Sequence, residues 1–180
     1  MNLVCIIHVD YCVFKTLRSI FTSNLFVMHD GLVHLHSLLR WVILVLLLLG
    51  IFRHFSAMNQ KRPVNAGDRK IDLFLMISAH TTFLVGLILW FSGPWGLKTI
   101  QNVGMGEVMK NSVFRFYAIE HMIGMIVAVV LITVGRAFGK KSSDTGVHRK
   151  AFWLFLIALI IILASIPWPF RVVGAGRGWF

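Results

Sequence analysis

Charge is what this chain has least of. Charged side chains make up 14% of its 180 residues, and the imbalance of sign is steep, with 7 acidic residues against 18 basic ones. A soluble domain carries about a quarter charged residues, so too little polar surface is present to cover a soluble core. Cysteine is scarce as well. The pair Cys5 and Cys12 falls in the first dozen residues without CxxC or CxxCH spacing, which excludes a disulfide framework and covalent c-type haem attachment. No flavin, dinucleotide or iron–sulfur motif occurs. The net charge of +11 raises nucleic acid as a partner. The basic residues, however, punctuate hydrophobic runs and form no stripe with interleaved aromatics, so nucleic acid is rejected.

What the chain has instead is apolar length: 57% hydrophobic residues and a mean hydropathy of +0.78. Four runs stand out, at about 32–52, 73–93, 116–135 and 151–168. Each suffices for the roughly 20 residues that an α-helix needs to cross a bilayer. The expected fold is all-α, a polytopic membrane four-helix bundle occupying residues 28–180 and packed against lipid. The connections are polar or glycine-bearing. Arg53 to Lys70 holds Lys61-Arg62-Pro63 and Asn65-Ala66-Gly67-Asp68, Pro94 to Ser112 holds three glycines, and Arg136 to Lys150 is basic. Pro167 and Pro169 stop the last helix, and Trp179-Phe180 suits the interface.

Ten basic residues fall in the first and third loops and five on the opposite side from residue 28 onward. The positive-inside rule then places both termini outside the cytoplasm of a bacterial inner membrane. Residues 1–27 do not fit the plan, because Lys15 and Arg18 follow their apolar patch and no small-residue cleavage site appears, the wrong order for a secretory signal. They read as upstream sequence ahead of a true start at Met28, or as an interfacial N-terminal helix.

Ionisable groups inside a span cost about 2.5–3.5 kcal/mol at the bilayer centre, so each needs a reason. His36 and Arg40 are four apart on one face of the first span. Glu120 and His121 lie on the third at the same end of the bundle, and His80 lies near the middle of the second. At 1.5 Å per residue, His80 is about 16 Å deep, His121 about 12 Å and His36 about 6 Å. Two imidazoles at similar depth on neighbouring antiparallel helices are what a b-type haem requires. His80 and His121 are therefore the expected axial ligands of haem b. His36 is expected at a propionate, in place of His80, or at a second site. Gly124, Ala128 and Gly86 leave room for a macrocycle or for plain helix packing. Arg40 has Glu120 or a propionate as its natural partner. His34 and His148 read as solvated at membrane edges, and His8, His29 and His54 carry no signal. His34 and His36 diverge on a helix, which makes a separate transition-metal site the weakest option.

Five segments carry a resemblance. They are His34 to Trp41 (HLHSLLRW), Gly67 to Met76 (GDRKIDLFLM), Ala79-His80, Arg115-Phe116 with Glu120-His121, and Ile166 to Arg171 (IPWPFR). Together they resemble a family of short four-span proteins of Bacteroidetes-type bacteria labelled cytochrome B, over about residues 28–180. The resemblance implies an inner-membrane protein with a haem role. The fourth span lacks histidine, unlike the two-haem pattern of the large respiratory cytochrome b.

The leading expectation is one-electron transfer through one non-covalently bound haem, between a quinone or respiratory partner and another membrane component. Whether the chain is an enzyme stays open. The rivals are a non-catalytic membrane subunit or assembly factor, in which the polar cluster fixes helix register, and a small proton-handling transporter using Glu120 and the histidines.

Overall fold

In hydrocarbon every backbone N–H and C=O must be satisfied within the protein, so an apolar run of this length folds as a helix. The computed structural model describes residues 3–141 and 144–174, with side chains over 28–140 and 144–174. The side chains of Cys5 and Cys12 and the pair Trp179-Phe180 lie outside the described residues. In chain order the elements are α1 (Leu3–Asn59), α2 (Ala66–Ser92), α3 (Leu97–Val103), α4 (Met105–Lys110), α5 (Ser112–Arg115), a π-helical turn Phe116–Glu120, α6 (His121–Lys141), α7 (Gly146–Ser165) and a 3-10 turn Val172–Gly174. Four stretches, Met28–Asn59, Ala66–Val103, Ser112–Lys140 and Gly146–Ser165, are long and apolar enough to cross a membrane. The all-α membrane bundle expected from sequence is the fold observed.

The helices form a closed ring. α1 packs on α2 and α7, and α6 packs on the same two neighbours. Chain direction alternates around the ring, so the first and third loops share one end, called the basic end below. The start of α6 and the end of α7 share the other. Leu47, Leu75, Ile132, Ala151, Phe155 and Ala158 fill the middle and are essentially inaccessible. Phe155 is the key of this layer. Its ring enters a socket made by two glycines, since a Cβ on Gly135 would meet it at 2.5 Å and one on Gly50 at 3.4 Å. Leu48, Phe52, Leu84, Ile88, Val130 and Ile160 point outward and are exposed, as side chains solvated by lipid tails must be.

The helices run past the hydrophobic runs. α1 continues through Arg53 and His54 to Asn59, and α2 begins at Ala66 instead of Leu73. A capping box explains that early start: Asn65 Oδ1 accepts from the Asp68 amide at 2.9 Å, and the Asp68 carboxylate accepts from the Asn65 amide at 3.1 Å. The Asn65–Asp68 segment, expected as loop, is a helix N-terminus. Lys61, with φ 50°, turns the chain between the two helices. The second loop, Pro94 to Ser112, folds into the short helices α3 and α4. At the far end α7 stops at Ser165, because Ile166 precedes Pro167 and is extended with ψ 130°. The Arg171 guanidinium then turns back onto the carbonyls of Ala164 and Ile166, a cation where a helix C-terminus favours one. No helix boundary falls at Met28, where α1 runs through unbroken.

Candidate functional site

At the end opposite the basic loops, the bundle encloses a partly open cavity of about 220 Å³ between α1, α2 and α6, roofed by the end of α7. Its polar lining includes His36, Arg40, Thr82, Tyr117 and His121, with His29 at its outer end. The remaining walls are mostly apolar, with Met122, Met125, Ala128 and Ile132 below.

His36 and His121 face each other across two helices, with ring centroids 6.2 Å apart and planes at 65°. Each is placed by a glycine. A Cβ on Gly86 would lie 2.9 Å from His36 Cε1, so α2 makes room for the ring only because residue 86 has no side chain. A Cβ on Gly124 would collide with the Ser165 hydroxyl. Its absence lets α7 approach until the Ser165 carbonyl accepts a hydrogen bond from His121 Nδ1 at 2.8 Å. With Nδ1 donating, His121 Nε2 carries the lone pair. His36 Nδ1 is buried and has no hydrogen-bond partner.

The π-helical turn immediately before His121 sets its direction. A π turn carries one extra residue and rotates everything after it relative to an α-helical register. Here Trp90 Nε1 fastens the turn to α2 by donating to the Ala118 carbonyl at 3.0 Å. His121 faces inward. Glu120 faces outward, is exposed, and pairs with Arg115 at 2.7 Å. Of the two partners expected for Arg40, Glu120 is thus taken by Arg115, and Arg40 lies along the cavity with its guanidinium 5.3 Å from the Trp41 ring centre.

His80 does not join this group. It sits on the outward face of α2, exposed, with Nδ1 on the Met76 carbonyl of its own helix at 2.9 Å. Ala79, Thr82 and Gly86 occupy the inward stripe of α2, and one residue of helical rotation carries His80 away from it. Depth alone paired His80 with His121, and rotation about the helix axis separates them. Of the two roles open to Gly124, helix packing is the one observed, since it serves the contact with α7. His34 is exposed and weakly paired with Asp30 at 3.8 Å.

The basic end holds a second cluster. His54, Asp72 and His148, from α1, α2 and α7, are 1%, 1% and 0% exposed. His54 Nε2 lies 3.2 Å from Asp72 Oδ1, and His54 Nδ1 lies 2.8 Å from His148 Nδ1. Beside them Asp68 takes a two-pronged contact from Arg62, at 2.6 and 3.0 Å, and one from Arg53 at 3.0 Å. The Asp68 carboxylate holds the loop residue Arg62 protonated, above its ordinary range. Solvated edges were expected for His148, and no role for His54. Both are core residues, because the helices extend beyond the hydrophobic runs and carry these rings into the packed interior. Among the described residues, no group of three or more His, Cys, Asp or Glu is arranged to hold a metal ion.

No protein-family model matches the chain, and neither a curated protein nor a solved structure does.

Proposed function

We propose that the cavity end binds one b-type haem and that the protein is a small electron-transferring membrane cytochrome, with His36 and His121 as the axial pair. The observation that carries this reading is the facing pair itself. Two imidazoles bound to one metal through bonds of about 2 Å have ring centres about 6 Å apart, and these stand at 6.2 Å. The donor chemistry fits too. A metal-bound histidine characteristically donates its other N–H to a backbone carbonyl, as His121 does to Ser165. His36 has a buried nitrogen with no partner, a costly condition that a ligand relieves. Arg40 supplies a cation for a propionate, with the forked geometry that carboxylates prefer.

A haem held there supplies one-electron chemistry. The chain's own residues do the rest. Ser165 fixes the tautomer of His121, Gly86 admits the His36 ring, and the apolar layer of Leu47, Leu75 and Ile132 keeps water from passing below. The resemblance to the four-span cytochrome B proteins points the same way. Electrons would be exchanged with a quinone or a respiratory partner, in an inner membrane with both chain termini outside the cytoplasm, as the positive-inside count implies.

One observation favours a second reading. The cavity's 220 Å³ is below the roughly 300–1,000 Å³ of pockets for drug-sized ligands, and suits a single-ring quinone headgroup hydrogen-bonded by His36 and His121. A reduced-minus-oxidised spectrum of the purified protein, expressed with ample haem, decides between them. Sharp bands that vanish in both His36→Ala and His121→Ala establish the axial pair. A colourless protein overturns the haem reading, and saturable quenching of tryptophan fluorescence by a soluble quinone then supports the second.

A further inference from the structure

The cluster at the basic end is connected in a way that permits only certain proton arrangements. An ionised Asp72 accepts hydrogen bonds and donates none, so it calls for a hydrogen on His54 Nε2. The contact of 2.8 Å between His54 Nδ1 and His148 Nδ1 requires one hydrogen between the two nitrogens, since two lone pairs or two hydrogens would repel. Setting aside the charged form with both hydrogens on His148, a ring with no carboxylate bonded to it, two states satisfy both conditions. In the first, His54 is neutral, His148 carries its hydrogen on Nδ1 and donates it to His54, and His148 Nε2 is bare. The second contains one more proton. His54 then holds hydrogens on both nitrogens and donates to His148 Nδ1, while His148 holds its own on Nε2.

Adding a proton at His148 Nε2 converts the first state into the second with no heavy atom moving. An N–H bond forms at His148 Nε2, the N–H bond at His148 Nδ1 breaks, and the released proton forms an N–H bond at His54 Nδ1. The positive charge comes to rest on His54, beside the Asp72 carboxylate. His148 Nε2 is the one nitrogen of the two rings that is buried without a partner, so the entry atom is the one left open. His148 lies in the first turn of α7, at the end of the bundle that carries the first and third loops, which places the entry at the basic end. In the opposite direction the way is shut. The Phe155 ring sits 5.5 Å from the His54 ring, wedged between Gly50 and Gly135.

The charged surroundings come from every helix of the ring. α1 contributes Arg53 and α2 contributes Asp68, with Arg62 from the loop bound to that carboxylate. α6 contributes Arg136, whose guanidinium reaches Met76 Sδ at 3.5 Å, and it approaches Asp72 through Gly139, where a Cβ would lie 3.5 Å from Oδ2. α7 contributes His148. Asp72 is the carboxylate that His54 bonds, and it offsets the positive neighbours when the second proton arrives. From His36 to His54 is 18 residues along α1, about 27 Å, so this centre is separate from the cavity and the inference stands without any reading of it.

We propose that Asp72, His54 and His148 form a proton-uptake site entered from the basic end, in which a proton bound at His148 Nε2 is stored as a His54 imidazolium held by Asp72. Solid-state NMR of the full chain, labelled with ¹⁵N-histidine and placed in lipid bilayers, tests this between about pH 9 and pH 4, the range around the ordinary histidine titration. On acidification His54 should gain its second proton while His148 stays neutral and exchanges an Nδ1–H tautomer for Nε2–H. Both changes should share one midpoint. In Asp72→Asn the midpoint should move at least one unit toward acid, a tenfold weaker hold on the proton. If that variant does not fold, the tautomer exchange in the native chain decides alone. Two rings titrating separately, a charge that settles on His148, or tautomers unchanged across the range would each overturn the proposal.

Discussion

The two ends of this bundle each hold a pair of histidines, and they use them in opposite ways. At the basic end His54 and His148 touch at 2.8 Å, Asp72 closes the chain of hydrogen bonds, and packed side chains surround all three. At the other end His36 and His121 stand with ring centres 6.2 Å apart over a cavity, and a nitrogen of His36 is left without a partner. A buried polar group without a hydrogen bond costs about 1–3 kcal/mol. Of the two pairs, then, one has consumed its hydrogen-bonding capacity internally apart from a single nitrogen beside a loop, and the other presents it to empty space. Histidine count and membrane depth do not distinguish these situations. What does is whether the imidazoles meet one another or meet a void.

On the proposed haem reading, the largest effect that would break this contrast is complete loss of the cofactor at one end only. His121→Ala should remove every haem band in the reduced spectrum, whereas His80→Ala, altering a ring exposed on the outer face of α2, should leave the spectrum unchanged. If His80→Ala bleaches the protein, the axial pair has been assigned to the wrong face of α2. Next in size is a stability effect at the basic end. His54→Ala leaves the Asp72 carboxylate buried without its partner, which should cost roughly 3–5 kcal/mol. Denaturant or thermal unfolding in detergent measures it, and the folded fraction should keep the spectrum of the native protein. Loss of the bands in well-folded His54→Ala would show that the two ends act as one unit.

The sequence shows the bundle plainly, because a run of 20 apolar residues has one way to satisfy its backbone in a membrane. Of the cavity it shows His36, Arg40 and His121, whose placement inside or near hydrophobic runs already demands a reason. It misplaces His80, because depth follows from counting residues at 1.5 Å each, whereas facing direction depends on which stripe of α2 turns inward. The small residues Ala79 and Gly86, seven apart on that stripe, were the available signal. It mispairs Glu120, since the π turn at Phe116–Glu120 shifts the register by a residue that no α-helical wheel contains. The basic-end cluster escapes altogether for a simpler reason. His54, Asp72 and His148 each lie within three residues outside a hydrophobic run, where a polar residue looks like ordinary membrane edge. The capping pair Asn65 and Asp68, three apart, was a legible sign that α2 begins a turn and more before Asp72.

Two smaller effects sharpen the contrast at the cavity. Gly124→Ala places a methyl group against the Ser165 hydroxyl and pushes α7 away from His121. Outer partners of a metal ligand are worth about 10–100-fold in metal affinity, so haem titration of this variant should show weaker binding within that range, with the fold intact. Unchanged affinity would mean that the Ser165 carbonyl is a passive neighbour of His121. The smallest effect is expected from Glu120→Gln. The carboxylate is exposed and paired with Arg115, an arrangement worth about 0–1 kcal/mol, so stability and spectrum should both stay close to native. That near-silence is informative, because a charge at this depth on the third span looks from sequence like the partner of Arg40. A strong loss of haem in Glu120→Gln would mean that the π turn relaxes to α-helix in the haem-bound protein, rotating Glu120 inward to Arg40.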